Sequence, residues 1–331
     1  MKRLYIILVL FISLYTSCVN KLERPQIKLI RHYTLEDHRS VSGLEVLGKN
    51  VITISDNEHG TGIAYLDSAF RSLVNKGSEQ SKERQSRSVI PKDAKPDYEA
   101  LTLMKGKNKI WLIKFGSGSR SPQRDFIYLE DLTSLENDTI VFNAGLFYQN
   151  LRDITGISTD AFNLEGACTS KDELFLFNRG TNGVIRIPIS EFLGMVDGDE
   201  LPKNIIYQTM TLPPLQGNYT GVSGATYLPE RDLIIFTASV ERTTNWIDDG
   251  DILGSGVGWF PANERSSSFE PDFEWIAENG IILKYKVEAV GVDYSENLDS
   301  KSTFKLILAS DNDSEECEML EMEMIFSNSI P

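Results

Sequence analysis

Five short segments of one pattern recur along this chain, and nothing else in it restricts the possible folds as strongly. VSGLEVL (41–47), YEALTL (98–103), LEGACT (164–169), VSGATYL (222–228) and VEAVGV (287–292) each set Ser or Glu, then Gly or Ala, inside an apolar run. The polar positions are Ser42, Glu99, Glu165, Ser223 and Glu288, separated by 57, 66, 58 and 65 residues. A period of this size is the mark of a propeller or another array of repeated units, and the copies have to be read together.

After each copy comes a turn and then a strongly β run: VITIS at 51–55, IWLIKF at 110–115, LFLFN at 174–178, LIIFTAS at 233–239 and FKLILAS at 304–310. Short runs rich in Val, Ile and Phe, divided by Gly, Asn and Asp, read as antiparallel sheet. The only helical expectation is a single turn at 190–196. The fold expected is therefore all-β: a five-bladed propeller with four-stranded antiparallel blades, a six-bladed ring with one degenerate blade being the alternative. Each copy would be the innermost strand of a blade. Gly43, Ala100, Gly166, Gly224 and Ala289 would then allow the close backbone approach that convergence requires. PQIKLIRHY (25–33) and EMLEMEMIF (318–326) would share the last blade and close the ring without a free edge. The polar stretch 75–97 reads as a long surface loop.

Equivalent register positions point the same way, so the five polar residues should meet near the axis. Three carboxylates in a narrow channel repel one another, and without a counter-ion some would hold protons at neutral pH. Calcium accepts six to eight oxygen ligands in flexible geometry. Ser42, Glu99, Glu165, Ser223 and Glu288, completed by water, make a suitable set. No His or Cys stands among them, which disfavours zinc and copper. A water-filled channel with solvated glutamates is the alternative.

The chain begins MKRLYIILVLFISLYTSC: a basic head, an apolar stretch and small or polar residues before Cys18. That reads as an export signal over residues 1–17, too short for a lasting membrane span. Cys18 is placed as in a lipobox, where it would carry the lipid, with cleavage without lipid as the alternative. The organisation expected is signal 1–17, linker 18–24 and one domain over 25–331, a monomer held in the cell envelope and facing the periplasm or the exterior. Removing Lys2 and Arg3 with the signal takes the formal charge from −15 to −17. Such an acidic body has no electrostatic attraction to nucleic acid, and its contact with membrane would be through the anchor alone. Cys168 and Cys317 could pair in an oxidising compartment, although the apolar setting of Cys168 fits a buried free thiol.

Five loops should gather on one rim: SDNEHGTG (55–62), GSGSRSPQR (116–124), NRGTNG (178–183), SVERTTNWIDDGD (239–251) and SDNDSE (310–315). On a rigid frame, loops of this kind carry function. Arg120, Arg124, Arg179 and Arg242 could grip phosphate or carboxylate oxygens as planar forks. Asn57 is a further ligand contact, while Asp56, Glu241, Asp311 and Asp313 could position water or a second metal. Ordinary turn chemistry and surface ion pairing explain the same residues singly. The histidines, His32, His38 and His59, are scattered.

The order Ser-Glu-Glu-Ser-Glu on five inner strands resembles the calcium-activated nucleotidases, secreted apyrases with five-bladed propellers. It also looks like lipoprotein propellers of gut-type bacteria and, in general form, phytase-like propellers. The nucleotidase resemblance implies Ca²⁺ held by the five ring residues below a nucleotide-hydrolysing face. Asp56 falls at the first Asp of that family's Asp-Asp-Arg-Thr-Gly, and Asn57 replaces the second. Arg179 falls at its Pro-Arg-Arg position, and Glu241 at the end of its Ser-Glu-Glu. Gly116-Ser117-Gly118-Ser119 replaces its Gly-Lys-Glu-Trp. Three functions follow as expectations: a calcium-dependent phosphoester or phosphoanhydride hydrolase with Asp56, Glu241 and Arg179 as the catalytic set, a non-catalytic ligand- or glycan-binding propeller with structural calcium, or an esterase- or lactonase-like propeller.

Overall fold

The computed structural model describes residues 24–35, 41–55, 61–65, 73–75, 97–106, 109–134, 139–243, 250–293, 302–311 and 317–327. The molecule is a β-propeller built of mostly antiparallel sheets. Five sheets of four or five strands follow one another along the chain. They begin with Val41–Leu47, Tyr98–Lys105, Leu164–Thr169, Gly221–Leu228 and Val287–Asp293, the five repeated segments. Each pairs antiparallel with the β run that follows it: Asn50–Ser55, Ile110–Gly116, Glu173–Asn178, Leu233–Arg242 and Thr303–Ser310. These first strands are neighbours in succession, and that of the fifth sheet lies against that of the first.

The β runs are apolar on both faces, with few polar positions such as Lys114 and Lys305, because both faces of each sheet are covered. In Glu173–Asn178, Leu174 and Leu176 pack toward the second sheet, while Phe175 and Phe177 pack toward the fourth. Five apolar clusters result, one in each wedge between consecutive sheets. The wedge between the fifth and first sheets holds Ile307, Ala309 and Met319 against Val41, Leu44 and Val51. In the fifth sheet the N-terminal strand Gln26–Leu35 pairs antiparallel with Cys317–Ile325, so the two ends of the chain share one sheet. Cys168 and Cys317 are buried free thiols.

Among the described residues two α-helices modify the all-β expectation without displacing it. The first, α1, spans Gly145–Thr155 and was not expected; the second, α2, spans Ile189–Val196, where a single turn was. Phe147, Tyr148 and Leu151 of α1 join Phe192 and Met195 of α2 in the wedge between the second and third sheets. Ala144 caps α1 without a side-chain bond and its first turn carries no acid, so the usual sequence signal for a helix start is missing. Support comes from outside the helix. Asn143 Oδ1 accepts the Gly145 N–H at 3.0 Å, and the buried Asp125 carboxylate lies beside Gly145, where it complements the positive end of the helix dipole. Among the described residues no helix is long and apolar enough to cross a membrane.

Candidate functional site

Each first strand carries a β-bulge at the same place. Pairing with the second strand slips between Val41 and Gly43, Tyr98 and Ala100, Leu164 and Gly166, Val222 and Gly224, and Val287 and Ala289. The extra residue is in turn Ser42, Glu99, Glu165, Ser223 and Glu288. A bulge leaves its residue unpaired and re-aims the side chain. Ser42, Glu99, Glu165 and Glu288 line one cavity enclosed by the first strands. Its volume of about 10 Å³ is room for a single water-sized body.

The two serines also bind strand to strand. Ser42 Oγ donates to Tyr98 O at 2.5 Å, and Ser223 Oγ donates to Val287 O at 2.6 Å. Each therefore satisfies a carbonyl on the next sheet's first strand, and the Ser223 hydroxyl is turned to that carbonyl and to Thr237. Close approach is enforced at Gly224. A Cβ there would lie 2.6 Å from Glu288 O and 3.1 Å from Ala289 Cα.

Two cations sit among the carboxylates. Arg179 places Nη1 3.6 Å from Glu165 Oε2 and Nη2 3.2 Å from Glu241 Oε2. Its side chain lies over Gly221, where a Cβ would come within 2.8 Å of Arg179 Cγ. Lys286 Nζ stands 3.1 Å from Glu288 Oε1 and 3.7 Å from Glu241 Oε1. Asn163 Nδ2 donates to Glu165 Oε1 at 2.7 Å. Burial pushes the Glu288 carboxyl well above the usual range; Lys286 opposes this, and Asp311 and Glu165 add to it. Burial likewise raises Glu165, against the pull of Arg179 and Lys286. Burial pulls the Lys286 ammonium down, but Glu288, Glu241 and Asp311 together leave it well above its ordinary value.

Arg179 and Glu241 thus stand at the ring, paired with each other. Arg124 forms a second cluster, its Nη1 2.5 Å from Asp97 Oδ2, which also accepts from Ser117 Oγ. Asp311 is buried, and its N–H bonds to Lys286 O at 2.8 Å. Arg242 is at the surface, 3.4 Å from Asp251, and Arg120 is exposed on the 116–124 loop. Asp56, Asn57, Asp313, Cys18, His38 and His59 lie outside the described residues.

Lys286, Asp97 and Asn163 were not anticipated from the sequence. Yet each stands two residues before a ring glutamate, at the period-2 position that shares its face. A polar residue at that offset in three copies was the available signal.

The ring donors are oxygen only, the type a hard cation takes. Among the described residues no three acidic side chains stand close enough to hold a metal as they are; Glu165 and Glu288 are drawn toward Arg179 and Lys286 instead. One guanidinium donor, Arg179 Nη1, is buried without a hydrogen-bond partner. Its ion-pair partner Glu165 Oε2 stands at 3.6 Å, beyond hydrogen-bond distance.

A family model described as "Family of unknown function (DUF6929)" matches residues 37–324. No curated protein matches the sequence. Similar solved structures include the glutaminyl cyclase of Myxococcus xanthus, with 9% identity, a TM-score of 0.47, and coverage of 92% of this chain and 99% of that one. The arabinanase Arb43A of Bacillus subtilis shows 11% identity and a TM-score of 0.45 over 86% and 94% of the two chains. An exo-1,5-alpha-L-arabinanase from a bovine ruminal metagenomic library shows 8% and 0.46 over 89% and 99%. Likeness at this level ties none of their chemistry to this chain.

Proposed function

The chain belongs to this family of unknown function (DUF6929), and from its own axial site we propose that it is an exported, calcium-binding, five-bladed propeller that holds an oxyanionic small molecule beside the ion. Five sheets with an apolar wedge between each consecutive pair support the blade count. The observation that supports the ion is the repeated bulge, which brings Ser42, Glu99, Glu165 and Glu288 to one cavity of about 10 Å³. Export and lipid attachment at Cys18 rest on the N-terminal sequence.

Glu99, Glu165 and Glu288 would hold the ion, with Ser42 and Ser223 locking the strands that carry them. A bound divalent ion supplies Lewis acidity and charge neutralisation at an oxyanion. Arg179 contributes the unmatched N–H, and Gly221 lets its side chain lie flat. The ligand class implied by the nucleotidase resemblance is a phosphate ester or anhydride. The pairing of Arg179 with Glu241 favours a second reading, in which neither group is free to act on a substrate and the site binds without turnover.

The test is metal analysis of the purified protein, followed by assays of phosphate release from nucleotides and sugar phosphates in Ca²⁺ and in chelator. Calcium-dependent release, lost in Glu165→Gln, is the hydrolase outcome. Calcium binding with every substrate intact leaves the binding reading. Absence of calcium binding ends both.

A further inference from the structure

Strand register tells the two ends of the propeller apart. In the fifth sheet Val287 pairs with Ser310 at one end, beside the ring residue Glu288. At the other end Thr303 pairs with Ile325, and Ile325 pairs with Gln26 at the start of the N-terminal strand. The other sheets divide in the same way. Ser55, Gly116, Asn178 and Ser239 lie level with the starts of the first strands, at the ring end. The turns joining first to second strands lie at the opposite end, where Leu47 pairs with Asn50 and Leu228 with Leu233. Among the described residues this turn face mixes exposed Lys49, Lys105 and Lys171 with exposed Asp172, Glu230 and Asp232, so it sets no field of one sign against a lipid surface.

The N-terminal strand starts at the turn end, and the residues just before it are held there. Pro25 is buried. Arg24 Nη2 stands 2.7 Å from Glu274 Oε1 and donates to Phe273 O at 3.3 Å. Both partners belong to the outer strand of the fourth sheet, Asp272–Trp275. Cys18 precedes Arg24 by six residues, which reach about 20 Å at most when fully extended. Strand Thr303–Ser310, which runs the height of the sheet, covers about 24 Å. A tether of that length attached at the turn end is too short to bring the ring end against the bilayer.

We propose that the anchored chain holds its turn face over the lipid surface and presents the ring and rim to the aqueous side. Ligand then reaches the candidate site from solution, without passing between protein and membrane. This rests on lipid attachment at Cys18, proposed above, and is independent of what the axial site binds.

Energy transfer to vesicles tests the orientation. The lipid-bearing full chain carries a donor dye at Lys49→Cys on the turn face or at Arg242→Cys on the rim; Cys168 and Cys317 are buried and do not compete for label. Vesicles of phosphatidylethanolamine and phosphatidylglycerol carry an acceptor dye on their headgroups. Transfer should be severalfold greater from position 49. Equal transfer, or more from position 242, would overturn the orientation and leave lipid attachment standing. In flotation without dye, wild type should rise with the vesicles and Cys18→Ser should not. Equal behaviour of those two chains would remove the lipid anchor, and the orientation with it.

Discussion

Glu45 shows how a single buried carboxyl can set the pH response of a scaffold. It stands three residues beyond the ring serine, and its Oε1 accepts the Leu103 N–H at 3.0 Å from the next first strand. That N–H lies on the inner edge of its sheet, where no further strand is available to pair with it. Burial pushes the Glu45 carboxyl up from 4.5 to about 8, with the Leu103 bond opposing. A raised folded-state value means that the folded chain keeps a proton the unfolded chain releases. Stability from this group is complete below pH 4.5 and is lost as pH rises to about 8, at about 1.4 kcal/mol per pH unit. Glu45→Gln keeps an acceptor for Leu103 and carries no such slope. Denaturant unfolding between pH 5 and pH 8 should show the variant gaining on wild type by a few kcal/mol; parallel curves would refute this.

At the scale of elements, the inner strands work by contact so close that no side chain separates them. Gly224 faces Glu288 O and Ala289 Cα on the next first strand, and backbone cannot yield as a flexible side chain can. Gly224→Ala should therefore destabilise by about 1–3 kcal/mol, outweighing the 0.4–1 kcal/mol that loss of glycine freedom in the unfolded chain returns. Equilibrium denaturation measures it, and a neutral or stabilising outcome would show that the strands can part. The bulges belong to this scale too. The one-residue slip re-aims the side chain of the extra residue, and at Ser42, Glu99, Glu165 and Glu288 that residue lines the cavity. Helix α1 depends equally on other elements. Its end is readable in Arg152 and the left-handed Gly156, but its beginning rests on Asp125 and Asn143 from the second sheet.

For the whole molecule, the proposed axial ion would be shared by several first strands and would tie together sheets that are far apart in the chain. Binding only to the folded state, at a concentration 100 times its dissociation constant, stabilises by about 2.7 kcal/mol. Thermal unfolding should move up by a few degrees in Ca²⁺ and return in chelator, with the shift absent from the Glu165→Gln/Glu288→Gln double variant. Identical midpoints in calcium and chelator would count against the ion. The register of the five polar residues, the small residue after each and the two-faced β runs were all legible in the chain, because strand geometry repeats every two residues and convergence of strands admits only Gly or Ala. The bulges, the capture of Glu165 and Glu288 by Arg179 and Lys286, the turning of Ser223 to Val287 and the start of α1 were not. Each of these depends on which backbone edge or charge lies opposite, and those partners are brought together only when the sheets close around the axis.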